Sequence, residues 1–191
     1  MAYLTKDQLH SFGFKRIGEN VLISERAVIY NADQIEIGDN SRIDDFCVLS
    51  GKICIGRNVH LAVFTNLAGG APGITLDDFS GIAYGCQIFA QSDDYSGRTM
   101  TNPTIPAEYK KETKRKVYIG RHVIIGANSV VLPGVNVAEG CSLGAQSLLT
   151  KSTEPWTIYF GVPAKKLKSR RKDLLELEMK FLASTEKSTS G

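Results

Sequence analysis

Two adjacent carboxylates, three histidines and two basic clusters are the residues of this chain whose types and spacing suit chemistry. Asp93 and Asp94 stand side by side in a polar, proline-punctuated stretch that runs to Lys116 and contains no histidine. A carboxylate, with an ordinary pKa near ~4, binds and orients an ammonium group but is a weak base. The structural alternative for such a pair is a loop cap or an Asx-turn. The histidines are His10, His60 and His122. His122 is a candidate base, with His60 behind it; the bland alternative is a stacked or solvated ring. One basic cluster is Lys110, Lys111, Lys114, Arg115 and Lys116, and the other is Lys165, Lys166, Lys168, Arg170, Arg171 and Lys172. Either suits a phosphate-bearing ligand, and either is equally readable as a solvated surface. Cys47, Cys54, Cys86 and Cys141 form no CxxC pair, so no zinc site is expected and buried thiols are. The aspartates are too scattered for a metal site.

What positions these residues is a repeat of period six. Ile17-Gly18-Glu19-Asn20-Val21 is followed by Ile23-Ser24-Glu25-Arg26-Ala27, and Ile37-Gly38-Asp39-Asn40-Ser41 by Ile43-Asp44-Asp45-Phe46-Cys47. The pattern continues through Ile55, Leu61, Leu76 and Ile82, breaks, and returns at Ile119, Ile125, Val131, Val137 and Leu143. Neither helical nor simple strand periodicity produces this spacing. A coil of three short strands does: each hexapeptide forms one flat side, an aliphatic points inward, and a small residue fills the corner beneath it. Gly and Asn at the bends tolerate left-handed backbone. Stacked coils bury a continuous core.

With 191 residues, 42% hydrophobic and 23% charged, the chain has material for one domain with small appendages and is not a disordered sequence. Its 23 basic and 20 acidic residues leave a net charge of +3, too balanced to argue for nucleic acid. No apolar run reaches the ~20 residues that span a bilayer. Residues 1–10 lack a signal-peptide pattern, so a cytoplasmic protein is expected. Thr5 to Gln8 reads as a capping box within an N-terminal capping helix, residues 1–16. The repeats occupy residues 17–168, with an extruded loop at 93–116. The segment Ala68 to Gly73 is a second, smaller irregularity near the same place. Residues 169–184 read as a helix whose apolar stripe packs on its own domain or at a subunit interface. Residues 185–191 read as a disordered tail.

The block from Ile125 to Val135 (Ile-Gly-Ala-Asn-Ser-Val-Val-Leu-Pro-Gly-Val) and the ending from Tyr159 to Lys165 resemble the hexapeptide-repeat acyltransferases. The resemblance covers roughly residues 17–168. It implies an all-β fold, a left-handed parallel β-helix with a short N-terminal capping helix, an extruded loop and a C-terminal helix. The handedness comes from the resemblance, since β-crossovers in general are right-handed. It implies acetyl-CoA or another short acyl-CoA as co-substrate, and a homotrimer whose cofactor groove lies between two chains. It further implies backbone amides of Gly126, Ala127 and Ala145 facing the thioester and pantetheine arm, and Thr150, Lys151, Lys165 and Lys168 facing the nucleotide end of the cofactor.

Sugar O-acetyltransferases of the family carry a catalytic histidine in the loop that matches residues 93–116, and this loop has none. Attack by a hydroxyl, with its very high pKa, benefits from a histidine-class base; attack by a sugar amine is far less demanding. The stretch Ser92 to Gly97, with Met100 to Pro103, resembles the family's nucleotide-sugar N-acyltransferases. That resemblance implies contact with the sugar amine by Asp94 first and Asp93 second. The expected function is acylation of a nucleotide-linked amino-deoxy sugar, such as dTDP-4-amino-4,6-dideoxyglucose, for surface polysaccharide. The alternatives are a sugar or antibiotic O-acetyltransferase and a non-catalytic binding protein.

Overall fold

The computed structural model describes residues 2–188. The repeat folds as its spacing requires. The inward aliphatics Ile37, Ile55, Ile82, Ile125 and Val137 are all 0–1% exposed. The residue four positions on closes each corner, and Cys47, Cys86 and Cys141 are buried there beside Ser41, Ser129 and Ser147. Burial pushes the Cys47 thiol up to about 11, so it is an inert space-filler. Cys54 departs from the expectation of buried thiols. It is half-buried and points outward, in register with Glu36 and Thr75.

Three faces stack in parallel. On the second face, Leu22–Ile23, Arg42–Ile43, His60–Leu61, Gly81–Ile82, Ile124–Ile125, Ser142–Leu143 and Thr157–Gly161 pair in that order. The first and third faces merge into one ten-stranded sheet, because Val48–Ile55 and Asn66–Leu76 each run through a corner without breaking. Gly51 makes this possible. Its φ is 76°, and a Cβ there would stand 2.4 Å from the backbone nitrogen of Gly70. The irregularity at residues 68–73 lies in the second of these strands, and a Cβ on Gly70 would meet Gln91 at the root of the extruded loop.

Between the fourth and fifth coils the chain leaves the solenoid. Leu76 pairs with Ile119 as the next rung, and the intervening residues are held outside. Gln91–Ser92 and Thr113–Lys114 form an antiparallel stem, and the Arg115 N–H donates to the Ala90 carbonyl at 2.9 Å.

Both ends of the stack are covered. Helix α1 (Lys6–Ser11) starts at a full capping box between Thr5 and Gln8 and buries Leu9 against the first coil. At the far end, Ala164–Ser169 folds back antiparallel on Thr157–Gly161. This corrects the reading of residues 169–184 as helix. Helix α2 spans Leu174–Ser188. It also takes in residues 185–188 of the expected tail; residues 189–191 lie outside the described residues. Helix α2 packs on its own domain through Glu178 and Phe181.

Candidate functional site

The coil corners set what the site can contain. Where the first face turns into the second, one residue per coil holds a left-handed backbone: Asn20, Asn40, Asn58, Phe79, His122, Gly140 and Trp156. Each but the first donates its N–H one coil back, as His122 does to the Asp78 carbonyl at 3.2 Å. In this column two of the preceding amides are capped by the next coil. The Glu19 and Arg57 N–H groups donate to the carboxylates of Asp39 and Asp78 at 2.9 and 2.7 Å. Where the second face turns into the third, the equivalent positions are Asp45, Val63, Tyr84, Ala127 and Ala145, each just before a left-handed residue. The N–H groups of Ala127 and Ala145, on successive coils, have no hydrogen-bond partner among the described residues and are free to donate.

The expectation for Gly126 is corrected. Its N–H is already spent on the Leu143 carbonyl at 2.8 Å. Its lack of a side chain serves stacking instead, because a Cβ would stand 2.5 Å from the Ala145 nitrogen.

The extruded loop and the third face enclose a cleft of about 1020 Å³. Its apolar floor is Phe89, Val130 and Leu148, the outward residues of three rungs, with Leu132 and Pro133 beside them. Asp93, Asp94 and Thr150 all line it, so the structure brings both candidate carboxylates together with one of the expected cofactor residues. Asp94 is held by three donors: the Ser96 N–H at 2.9 Å, the Ser96 hydroxyl at 2.9 Å and the Thr99 hydroxyl at 3.1 Å. Hydrogen bonds from Ser96 first, and then from Thr99, hold its carboxyl below the usual carboxylate range. It is therefore an anion at neutral pH and a poor proton acceptor. Asp93 accepts more weakly, from the Asn102 N–H at 3.3 Å. The Asx-turn alternative and the functional reading of Asp94 thus coexist in one geometry. Sequence reasoning missed Ser96 and Thr99 as the residues that fix Asp94; a serine two positions after an aspartate is the available signal.

His122 lies elsewhere. It is 8% exposed, in the corner column under helix α2, and does not line the cleft. Its ring stacks on Phe79 at 5.4 Å and meets Trp156 at 6.3 Å. Nε2 lies 2.7 Å from the Glu178 carboxylate. Burial first, and then the Arg121 guanidinium, push the imidazole below its usual value, against the pull of Glu139. His122 thus stands outside this cleft, and within this chain it anchors α2 through Glu178. His60 contacts Asp44 at 2.8 Å on the outside of the second face, also away from the cleft.

The remaining expected cofactor residues lie at the C-terminal end of the stack. Lys151 follows Thr150 and is exposed, and Lys165 and Lys168 are exposed on the antiparallel strand Ala164–Ser169. Neighbouring Lys166 is engaged by Glu154 at 2.6 Å. Among the described residues, no group of His, Cys, Asp and Glu has the makings of a metal site.

The model of the bacterial transferase hexapeptide (six repeats) family matches residues 116–151. A dTDP-4-amino-4,6-dideoxy-D-glucose acyltransferase from Escherichia coli is 44% identical over 187 residues, covering 96% of this chain and 97% of that protein. The structure is similar to that of AntD, an N-acyltransferase from Bacillus cereus solved with dTDP and 3-hydroxybutyryl-CoA. The TM-score is 0.95 and the identity 45%, over 96% of this chain and 98% of that one. A single-residue mutant of AntD solved with dTDP-4-amino-4,6-dideoxyglucose and coenzyme A matches with a TM-score of 0.95 and 46% identity, over the same shares of the two chains.

Proposed function

The chain belongs to the hexapeptide-repeat acyltransferases, and we propose that it transfers an acetyl or other short acyl group from coenzyme A to the amine of a nucleotide-linked amino-deoxy sugar. The acceptor class is that of its relatives, a dTDP-4-amino-4,6-dideoxyhexose. One observation carries the reading: the cleft between loop and solenoid presents Asp94 as a fixed anion and holds no histidine. That arrangement recognises an ammonium group and is poorly built to deprotonate an alcohol.

The chemistry asks little more of the protein. Asp94, with Asp93 beside it, draws in and orients the amine. The bound ammonium gives up one proton to solvent, the neutral amine then attacks the thioester carbon, and a tetrahedral oxyanion forms. The open N–H groups of Ala127 and Ala145 suit that oxygen. The C–S bond breaks as the amide C–N bond is kept, and the proton shed by nitrogen ends on the departing thiolate. Orientation and charge stabilisation account for the catalysis. Lys151, Lys165 and Lys168 suit the phosphates of the cofactor's nucleotide end.

The functional unit is a homotrimer in this reading. A single solenoid leaves exposed the ridge of Phe46, Phe64 and Tyr84, on which the first two rings stack at 5.1 Å. The same ridge continues into Ala127 and Ala145, so a groove shared by two chains lies along it. Among the described residues no helix is long and apolar enough to cross a membrane. The proposed setting is the cytoplasm, and the proposed product feeds surface polysaccharide such as O-antigen.

The test is thiol release from acetyl-CoA with a panel of acceptors. Release with dTDP-4-amino-4,6-dideoxyglucose and none with the matching 4-hydroxy sugar is expected. Release only with the hydroxy sugar removes the reading. Sedimentation showing monomer alone at micromolar concentration removes the shared groove.

A further inference from the structure

Along the corner between the second and third faces, side-chain size changes abruptly. Val63, Tyr84, Ala127 and Ala145 hold one position in successive coils. The Gly85, Asn128 and Gln146 N–H groups tie them together, donating to the carbonyls of Val63, Tyr84 and Ala127 at 3.0, 2.8 and 2.7 Å. Among the described residues the Tyr84 N–H is as free of a partner as those of Ala127 and Ala145. The backbone therefore offers the same donor at three levels, and the side chains alone tell the levels apart. Two alanines leave a notch two coils long. At its N-terminal end stands Tyr84, 61% exposed. Tyr84 lies outside the hydrophobic core, and its ring has no aromatic partner among the described residues, whereas Phe46 and Phe64 stack on each other. Internal packing thus gives no reason for its bulk.

We propose that Tyr84 sets the length of the acyl group that the chain accepts from its donor. The inference deepens the acyl-transfer reading above and rests on it. In that reading the thioester oxygen meets the N–H groups of Ala127 and Ala145, and the cofactor's phosphates lie towards Lys165 and Lys168 at the C-terminal end of the stack. A thioester carbon carries sulfur on one side and the acyl chain on the other. With the sulfur directed to the C-terminal end, the acyl chain leaves towards the coil of Tyr84. Successive coils stack about 4.8 Å apart, so an acetyl methyl stays within the alanine notch. Each added methylene brings the chain closer to the phenol ring, and a four-carbon acyl group runs into it. The ring cannot retreat into the solenoid, because Ile82, Cys86 and Ile88 of its own coil are 0–1% exposed and fill the interior there. A longer chain must displace the ring or bend out into water, and either pulls the carbonyl off its donors. Alanine at position 84 would lengthen the notch from two coils to three.

The experiment measures thiol release by the full-length protein with dTDP-4-amino-4,6-dideoxyglucose, comparing kcat/KM for acetyl-CoA and butyryl-CoA. The wild type is expected to favour acetyl-CoA by roughly 10-fold or more, the discrimination that one or two methylenes allow. Tyr84→Ala is expected to bring the two donors within about twofold of each other, and Tyr84→Phe, which keeps the ring, to retain the wild-type ratio. The exposed position of Tyr84 lets both variants fold, which circular dichroism checks. A wild type indifferent to chain length overturns the inference and leaves the acyl-transfer reading standing. So does a Tyr84→Ala variant that releases thiol with the wild-type ratio, or a Tyr84→Phe variant that loses the ratio as alanine does. A folded Tyr84→Ala variant inactive with both donors also overturns it, because the ring then serves the reaction and not the choice of donor. No thiol release by the wild type from either donor overturns both the inference and the reading beneath it.

Discussion

Replacing Asp94 by asparagine tests the centre of the argument. Asparagine keeps the shape and one oxygen, so the bond from the Ser96 N–H survives. Its amide nitrogen cannot accept from the hydroxyls of Ser96 or Thr99, which hold the native Oδ2 at 2.9 and 3.1 Å. Both hydroxyls are near solvent and find water, so the loop stays folded and little stability is lost. What disappears is the negative charge facing the amine. A hydrogen bond to a charged group contributes about 1.5–3 kcal/mol, which corresponds to roughly 10- to 150-fold in kcat/KM. A carboxyl held below its usual range orients better than it accepts protons, so the loss falls mainly on the acceptor's KM and less on kcat. The assay is thiol release at varied amino-sugar concentration and saturating acetyl-CoA. A companion variant, Ser96→Ala/Thr99→Ala, leaves the charge but frees the carboxylate; a smaller loss in the same direction is expected. Wild-type kinetics for Asp94→Asn and Asp93→Asn together refute the reasoning, because no other carboxylate of this cleft is free to hold an ammonium.

His122→Ala is expected to lower the melting temperature by removing a ring from the Phe79–Trp156 column and a partner from Glu178, while the folded fraction retains kcat; loss of kcat without loss of stability returns His122 to the chemistry. Gly126→Ala forces a Cβ onto backbone of the next coil and is expected to cost about 1–3 kcal/mol by denaturant unfolding, whereas Gly81→Ala, which meets nothing within 4 Å, is expected to cost little. Asp78 is held below its ordinary 3.8, its burial being outweighed by hydrogen bonds and charge from Arg57 and by Arg121. The folded state therefore binds this proton less tightly than the unfolded chain, and the stability it contributes is present above the unfolded value and is lost as pH falls through the depressed one. A melting profile should steepen below about pH 4, and more gently in Asp78→Asn. Lys165→Glu should raise the KM for acetyl-CoA and leave that for the sugar unchanged; equal values for both substrates would make Lys165 plain surface.

The coil stack was legible because a six-residue period has one geometric solution, and Asn20, Asn40, Asn58 and Asn128 marked their own left-handed corners. Phe79, His122 and Trp156 take the same backbone without any side-chain signal, and this is why His122 looked like chemistry. Its corner is imposed by the coils above and below it. The strand Ala164–Ser169 was missed because its residues alternate poorly and its pairing is decided by the turn at Val162 and Pro163. Asp93 and Asp94 were visible as an unusual pair in a loop. Ser96 and Thr99 were not, because only the folded loop shows which hydroxyls and amides hold a carboxylate.

Leu76 meets Ile119 as though the loop between them did not exist. The solenoid closes its ladder across the gap, and the loop hangs from a two-strand stem. The molecule therefore has two separately editable parts. In the proposed function the coils grip the acyl donor; they also carry the stability, and their residues are tied to neighbours above and below, so a change in one coil propagates. The loop, which grips the acceptor in the same proposal, is tied to the rest mainly at its root. On that proposal a lineage can rewrite the acceptor by trading loop sequence between Ser92 and Thr113, while the coil stack and its cooperativity are inherited unchanged.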